Sequence, residues 1–403
     1  MRYRPINKGL VRLFTASFIL AALFSAGLPS PARAQTQVIK PSILYQFAES
    51  LTVQARIQSD QPVQEVAVLF GSDGEPHLPP GTAKLAPDGT FSYTYDLTNR
   101  SLRAFANVNY RFRVTFQDGQ VYTSPNFSFL YADNRFAWQV LDEAPFRIHW
   151  YAGSLEIAQV VADVAHSGLE RIQSLLTTPS LQDRIDIYVY NSAREMQTAL
   201  DPTGQVGIAG HADPDLGVMI VALPPGPDQR ALMEQRVPHE LMHVLLYRKV
   251  GPEYAKIPLW LNEGLASAAE LYPNPDYQVL LENAHEKNSL LSMGSLCQAF
   301  PRDASGALLA YAQSASFTRY LFQTYGASGI NDLIQNYADG MECGRGVDTA
   351  LGKSLTQLER MWRQSTFTEN LSVIAFTNLL PWLVLMLAAL GAPFLATIGK
   401  IRS

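Results

Sequence analysis

The spacing of apolar residues changes near residue 134, and this change predicts two different architectures in succession. Before that point apolar or aromatic residues alternate with polar ones, as in half-buried strands. After it they recur at helical spacing, beginning with "SLEIAQVVADVAHSGLERIQSLL" (154–176). We therefore predict an all-β domain over 38–131 and a second domain over 135–368.

The first domain contains five alternating stretches separated by turn residues such as Asp88-Gly89 and Asp118-Gly119. Short strands at this spacing are typical of an antiparallel sandwich of the immunoglobulin or fibronectin type III kind. The domain has no cysteine and no histidine cluster, so we predict that it acts as a spacer or binds a partner that the sequence does not identify. The stretches are 51–58, 63–70, 90–97, 109–116 and 121–129.

The second domain begins with strands and continues with helices. After the helix at 154–176, "RIDIYVY" (184–190) and "LGVMIVAL" (216–223) have the composition of strands. A few strands followed by a run of helices predicts an α+β domain. The predicted helices are 228–250, 259–272, 277–291, 307–325, 327–338 and 354–364.

The N-terminus resembles an export signal. Basic residues, including Arg2 and Arg12, precede an uncharged run from Leu13 to Leu28. The small-residue triplet Ala32-Arg33-Ala34 then offers a cleavage site. We predict a signal peptide over 1–34; the alternative is an uncleaved N-terminal anchor, and either one exports the rest of the chain.

The other end contains an uncharged stretch, 371–399, which is long enough for a helix that crosses a bilayer. Lys400 and Arg402 follow, and the positive-inside rule places this tail, 400–403, in the cytoplasm. We predict a single-pass plasma-membrane protein with its body on the extracytoplasmic side; the alternative for 371–399 is a buried C-terminal helix.

Charge and cysteine content agree with an exported protein that binds no nucleic acid. The net charge is −5 and the pI is near 5.8, without a basic stripe. The two cysteines, Cys297 and Cys343, are expected to form a disulfide in an oxidising compartment. The alternative is two free buried thiols.

Two histidines four residues apart, His239 and His243, occur with Glu240 in "HELMH". On a helix, positions i and i+4 share a face, so both imidazoles can bind one ion. A catalytic zinc site leaves a position for water, and Glu240 would be its general base. The alternative is an ordinary amphipathic helix. "HEKNS" (285–289), which lacks the second histidine, is interpreted as a solvent-exposed face of a helix.

A third ligand is offered by Glu263 in "IPLWLNEGLASAAE" (257–270). The turn at Gly251-Pro252 lets this predicted helix return beside the first, so that Glu263 can face the histidines. Two histidines and one glutamate would bind one Zn²⁺ per chain. Taken alone, Glu263 is also compatible with a helix-surface carboxylate, and we expect Glu270 to be one.

The histidine motif, the spacing of about twenty residues and the Asn-Glu-Gly triplet resemble the gluzincin metallopeptidases. "IPLWLNEGLA" is similar to their peptidase MA-like families, and the resemblance covers about 135–365. It implies Zn²⁺ on His239, His243 and Glu263, with Glu240 activating a water that hydrolyses a peptide bond.

The resemblance also assigns two features of the predicted cleft. It suggests that Tyr311 donates its hydroxyl to the developing oxyanion, although an aromatic residue packed in the core fits the sequence equally well. It suggests that strand 216–223 is an edge strand along which substrate lies. In the loop before this strand, His211 could line the cleft, but a solvent-exposed loop histidine is the favoured interpretation.

Some residues depart from the family pattern. Ile220 and Val221 occupy the positions of the glutamate and asparagine of the aminopeptidase motif, whose glutamate holds the substrate's free amine; their presence favours an endopeptidase. Ser267 replaces an aspartate that orients a ligand in thermolysin-like enzymes, so another group is expected to hold His239. Pro238 is expected within the first turn of its helix.

These patterns predict a membrane-anchored, extracytoplasmic zinc metallopeptidase that acts on peptide or protein substrates. One alternative is a non-catalytic surface binding protein that uses a zinc-stabilised peptidase-like scaffold. Another is a hydrolase of non-peptide amides. Glu240 favours an enzyme, because a purely structural zinc site does not require it.

Overall fold

The computed structural model describes residues 36–71, 78–98, 102–179, 181, 183–200 and 210–367, together with four residues between 379 and 386. The predicted signal peptide, 1–34, and the predicted tail, 400–403, lie outside the described residues. The predicted transmembrane stretch, 371–399, lies outside them apart from those four residues. Within the described part of the chain, no helix has both the length and the apolar character needed to span a membrane.

The chain divides between Arg135 and Phe136 into two compact units. The first unit is built from antiparallel strands in two sheets, ordered β1-β2-β5 and β4-β3-β6-β7, with β8 also paired to β6. The strands are β1 (Gln37–Gln46), β2 (Ser50–Gln58), β3 (Val63–Phe70), β4 (Gly81–Ala83), β5 (Thr90–Asp96), β6 (Asn107–Phe116), β7 (Val121–Thr123) and β8 (Phe127–Leu130).

The alternating apolar residues of this unit form its core. In β2, Leu51 and Val53 are buried, while Gln54, the next residue along the strand, is exposed. Across the two sheets, Phe91 of β5 and Phe112 of β6 meet edge to face at 5.7 Å between ring centroids. The predicted β-rich domain is confirmed, and its immunoglobulin or fibronectin type III topology stays a prediction.

The second unit contains a five-stranded sheet in the order β12-β13-β11-β10-β9. The three central strands are parallel and both outer strands are antiparallel to their neighbours. The strands are β9 (Gln139–Glu143), β10 (Phe146–Trp150), β11 (Ile185–Tyr190), β12 (Gly210–Asp213) and β13 (Val218–Ala222).

The sheet corrects two expectations. The predicted edge strand at 216–223 is β13, which lies one strand inside the edge, and all five of its residues are buried, as in a strand covered on both faces. The edge strand is β12 instead, which the sequence analysis missed because "GHAD" is short and has no apolar alternation. His211 therefore lies in a strand rather than in a loop.

Eight α-helices are described, and those predicted from helical spacing are confirmed within a few residues. The two shortest helices, α2 and α7, were not predicted. The helices are α1 (Leu155–Leu175), α2 (Ala193–Leu200), α3 (Gln229–Val250), α4 (Leu259–Ala269), α5 (Asp276–Glu286), α6 (Ala304–Ala338, interrupted at Gly326), α7 (Cys343–Leu351) and α8 (Leu355–Phe367).

Pro238 lies in the interior of α3 and not in its first turn, so that prediction was wrong. Proline has no N–H, which leaves the carbonyl of Glu234, four residues earlier, without its helical partner. That carbonyl instead accepts hydrogen bonds from the backbone N–H groups of Leu271 (2.9 Å) and Tyr272 (3.4 Å). The helix continues through the proline, and the freed carbonyl ties α3 to the chain that follows α4.

The predicted disulfide between Cys297 and Cys343 is confirmed. It joins the end of a short 3₁₀ turn (Met293–Leu296) to the first residue of α7. The indole N–H of Trp260, in α4, donates to Cys343 Sγ at 3.4 Å. The bridge therefore lies against the helix that carries Glu263.

Candidate metal centre

Helices α3 and α4 bring the three predicted ligands together. His239 and His243 lie one turn apart on α3, and Glu263 reaches them from α4 after the 3₁₀ turn Gly251–Lys256. Glu263 Oε2 is 3.4 Å from His239 Nε2 and 3.8 Å from His243 Nε2. One ligand atom from each residue lies within 4.8 Å of the others, close enough for all three to bind a single metal ion.

A second carboxylate holds His239 from behind. Glu270 Oε1 lies 3.0 Å from His239 Nδ1, which orients the ring with Nε2 towards Glu263. Glu270 is 6% exposed, so our expectation of a helix-surface carboxylate was wrong. Glu270 takes the place of the orienting aspartate. Ser267 occupies the position of that aspartate, and its buried hydroxyl has no hydrogen-bond partner among the described residues. Seven residues after Glu263, Glu270 is two helical turns further along the same face.

His243 is held by an amide. Its Nδ1 lies 3.0 Å from Asn262 Oδ1, and the Asn262 amide donates to the Tyr254 hydroxyl at 2.8 Å. Tyr254 lies in the 3₁₀ turn that joins α3 to α4, and its hydroxyl is also 3.2 Å from His243 Nδ1. Both imidazoles therefore have Nδ1 engaged, which leaves Nε2 for an ion.

The electrostatics of the cluster favour a positive charge at its centre. Burial by itself would lower the pKa of His239, but contacts with Glu263 and Glu270 and the charge of Glu240 raise that pKa well above its ordinary value. Burial by itself would raise the pKa of Glu263, but the two histidines lower it. A protonated imidazole thus offsets the carboxylates in the metal-free cluster, as a cation would.

Glu240 lies on α3 beside the edge strand β12. It is 7% exposed, and a Cβ built on Gly210 would clash with its Oε1, so a larger residue at this point of the strand would displace the Glu240 carboxylate. Because side chains alternate along a strand, His211 projects from the opposite face. His211 Nε2 lies 3.3 Å from Asp213 Oδ1. We therefore place Gly210, and not His211, on the side of Glu240.

Two tyrosines lie near the cluster. Tyr311 of α6 packs edge on against Phe300, and burial together with the charges of Glu263 and Glu240 raises the pKa of its hydroxyl. Tyr277 of α5 is likewise half-buried, and burial and the charges of Glu270 and Glu263 raise its pKa. Both hydroxyls are therefore neutral donors close to the carboxylates at pH 7.

Several residues around the ligands were not predicted from the sequence. Asn262 belongs to the segment "IPLWLNEGLASAAE", but no role was predicted for it. Glu270 could have been found from its spacing of seven residues after Glu263. Nothing in the sequence indicated Tyr254, Tyr277 or Gly210, since they come from other elements and only the fold brings them to the cluster.

Comparison with known families identifies this part of the chain. The model described as the peptidase MA superfamily matches residues 164–368, which include both histidines and Glu263. No curated protein matches the chain.

Solved structures show only slight likeness. OgpA from Akkermansia muciniphila, including a catalytically inactive form solved with an O-glycopeptide substrate, is 14% identical with a TM-score of 0.21. The match covers 25% of this chain and 30% of OgpA. The polysaccharide deacetylase BC0361 from Bacillus cereus is 14% identical with a TM-score of 0.19, over 43% of this chain and 57% of that one. At these TM-scores neither likeness defines a common fold.

Proposed function

The chain belongs to the peptidase MA superfamily, and we propose that it is a zinc-dependent peptidase whose centre is His239, His243 and Glu263. The observation that carries this proposal is the orientation of the two imidazoles. Each has its Nδ1 engaged by a neighbouring residue and its Nε2 directed at one carboxylate oxygen, with Glu240 next to the first ligand.

The donor set fits zinc. Nitrogen and carboxylate ligands bind Zn²⁺ at about 2.0–2.1 Å, so neighbouring donors in a tetrahedral site lie about 3.3 Å apart. The separations of 3.4 and 3.8 Å between Glu263 Oε2 and the two Nε2 atoms are close to that value. Three protein ligands leave the fourth position for water or substrate, as in catalytic sites.

The side chains supply the proton transfers. A bound zinc ion would act as a Lewis acid on the scissile carbonyl and on the attacking water. Glu240 accepts the proton of that water and passes it to the leaving amine. The neutral hydroxyl of Tyr311 donates a hydrogen bond to the oxyanion that develops on the carbonyl.

The edge strand β12 supports a peptide substrate. Its outer edge has no strand partner within the described ranges, and Gly210 in it borders Glu240. An extended peptide added to this edge would pass directly beside the general base. Neither β12 nor β13 contains a glutamate that could bind a free terminal amine, which favours cleavage of internal bonds.

The location of the enzyme is proposed from the sequence alone. The predicted export signal, the uncharged stretch at 371–399 and the basic tail support a single-pass protein whose catalytic domain faces away from the cytoplasm. A Cys297–Cys343 disulfide is compatible with that compartment.

Metal removal tests the proposal. Dialysis against a chelator should abolish peptide hydrolysis, and one equivalent of zinc per chain should restore it, because no other group in the proposed site replaces the Lewis acid. His239→Ala should lose both zinc and activity. The matched control is His285→Ala, which removes the histidine of "HEKNS" and should retain both. Hydrolysis that persists without metal, or equal zinc binding by both variants, would overturn the proposal.

A further inference from the structure

Arg236 lies on α3 one turn before Glu240, so positions 236 and 240 share a face of the helix. Its Nη1 donates to the backbone carbonyl of Ala222, the last residue of β13. In the sheet Val221 pairs with Gly210, so Ala222 lies one residue beyond the last described pair of β12. The guanidinium is therefore held next to the described part of the edge strand that borders Glu240.

The guanidinium has no anionic partner. Among the described residues no carboxylate oxygen lies within 4.0 Å of it, and the Ala222 carbonyl is its one hydrogen-bond acceptor. None of its remaining nitrogens is enclosed without a partner. Arg135 and Arg363, in contrast, are paired with Asp133 (2.6 Å) and Glu359 (2.5 Å). Arg236 thus keeps open donors that these two arginines give to a carboxylate.

Partial burial limits the solvation of this guanidinium. Arg236 is half-buried; burial lowers the pKa of its guanidinium, and the charge of Glu240 acts in the opposite direction. Glu240 nevertheless does not form an ion pair with it, so the general base remains separate from the arginine. A half-buried, fixed guanidinium with free donors is suited to bind a carboxylate through two parallel hydrogen bonds.

We propose that Arg236 binds a carboxylate of the substrate and makes the enzyme selective for acidic peptides. Successive residues of an extended chain are about 3.3 Å apart, so a peptide on β12 that places its scissile bond at Glu240 brings a group one or two residues away to Arg236. The carboxylate comes from an Asp or Glu side chain or from the C-terminus of the peptide. This inference rests on the proposed peptidase function and names its substrate class.

A panel of matched peptides tests the inference. Each peptide carries Glu, Gln or Lys at one position near the scissile bond, with either a free or an amidated C-terminus. The wild type should cleave the Glu peptides with a kcat/KM at least about tenfold above that of the Gln peptides, since a site built for a hydrogen-bonded group discriminates strongly against its absence. Dependence on the free C-terminus instead would identify the terminal carboxylate as the bound group.

Variants of the arginine separate binding from structure. In Arg236→Ala the Glu-to-Gln ratio should fall to near one, and in Arg236→Glu the Lys peptide should become the best substrate. Arg236→Lys, which keeps the charge and fills most of the space, should retain part of the ratio even if the alanine variant folds poorly. Arg230→Ala is the control: this exposed arginine on the same helix pairs with Glu234, and the ratio should be unchanged.

The outcomes distinguish this inference from the proposed function. A wild type that cleaves all peptides equally, or a ratio that survives in Arg236→Ala, overturns the role of Arg236 and leaves the peptidase intact. If no peptide is cleaved, binding of a Glu peptide with a reduced, uncleavable bond is measured by fluorescence anisotropy. Tighter binding by the wild type than by Arg236→Ala then supports the arginine site without the peptidase, and equal binding overturns it.

Discussion

Each histidine of the centre uses its two nitrogens for different tasks. Nε2 faces Glu263, while Nδ1 is held by Glu270 in His239 and by Asn262 in His243. A charged and a neutral partner thus orient the two rings, and the charged one increases the basicity of its imidazole. Within the described part of the chain, one oxygen of Glu270 is buried without a hydrogen-bond partner, so the interaction of the other oxygen with His239 is the polar contact of that carboxylate.

We expect Glu270→Ala to lower zinc affinity about 10- to 100-fold, the usual effect of removing an outer partner of a metal-binding histidine. Glu270→Gln, which keeps a hydrogen-bond acceptor but not the charge, should fall in between. Affinity is measured by competition with a chromogenic chelator. Glu282→Ala, which removes an exposed carboxylate from α5, is the control. An unchanged affinity in Glu270→Ala would show that Glu270 does not orient His239.

At the scale of the elements, a proline couples α3 to the end of α4. Pro238 frees the carbonyl of Glu234, which binds the N–H groups of Leu271 and Tyr272, the residues directly after Glu270. The ring of Pro238 also packs against α1, where a Cβ built on Gly168 would come within 3.0 Å of it. The residue before His239 therefore helps to place the carboxylate that holds His239.

Pro238→Ala should weaken zinc binding severalfold although it removes a helix breaker. The new N–H competes for the Glu234 carbonyl, so the amides of Leu271 and Tyr272 should exchange hydrogen faster and Glu270 should be held less firmly. We expect thermal unfolding to change little, because the gained helical bond offsets the lost contact with Gly168.

Two comparisons isolate the effect of Pro238. The substitution should add little to the loss of zinc affinity in Glu270→Ala, since both act through the same carboxylate. Pro252→Ala, in the 3₁₀ turn after α3, is the matched control. Unchanged exchange at Leu271 and Tyr272 would contradict the coupling.

At the scale of the whole molecule, the sequence predicts the features that depend on residues close together in the chain. Alternation and helical spacing located most strands and helices, and the histidine motif with Glu263 located the centre. Contacts between distant elements were missed: β12 is too short to show a period, and Glu270 was assigned to the surface because its burial depends on α3. The carbonyl partners of Pro238 depend on the same packing, which no local pattern records.

The disulfide acts at this scale as well. It joins cysteines 46 positions apart in the sequence, with α6 between them, and it lies against Trp260 of α4. On the loop-entropy model a bridge of this span stabilises the folded chain by about 4 kcal/mol. It therefore constrains the unfolded chain and lies against the helix that carries Glu263.

The most direct test of the central claim is peptide hydrolysis by the zinc-loaded wild type and by zinc-loaded Glu240→Gln, followed by mass spectrometry on a mixed peptide library. Glutamine preserves the size of the side chain but cannot accept the proton of the attacking water. We predict one zinc per chain in both proteins, cleaved products with the wild type, and a loss of at least about a hundredfold in kcat for the variant. Equal cleavage by both proteins, or zinc in both with no cleavage by either, would contradict the account.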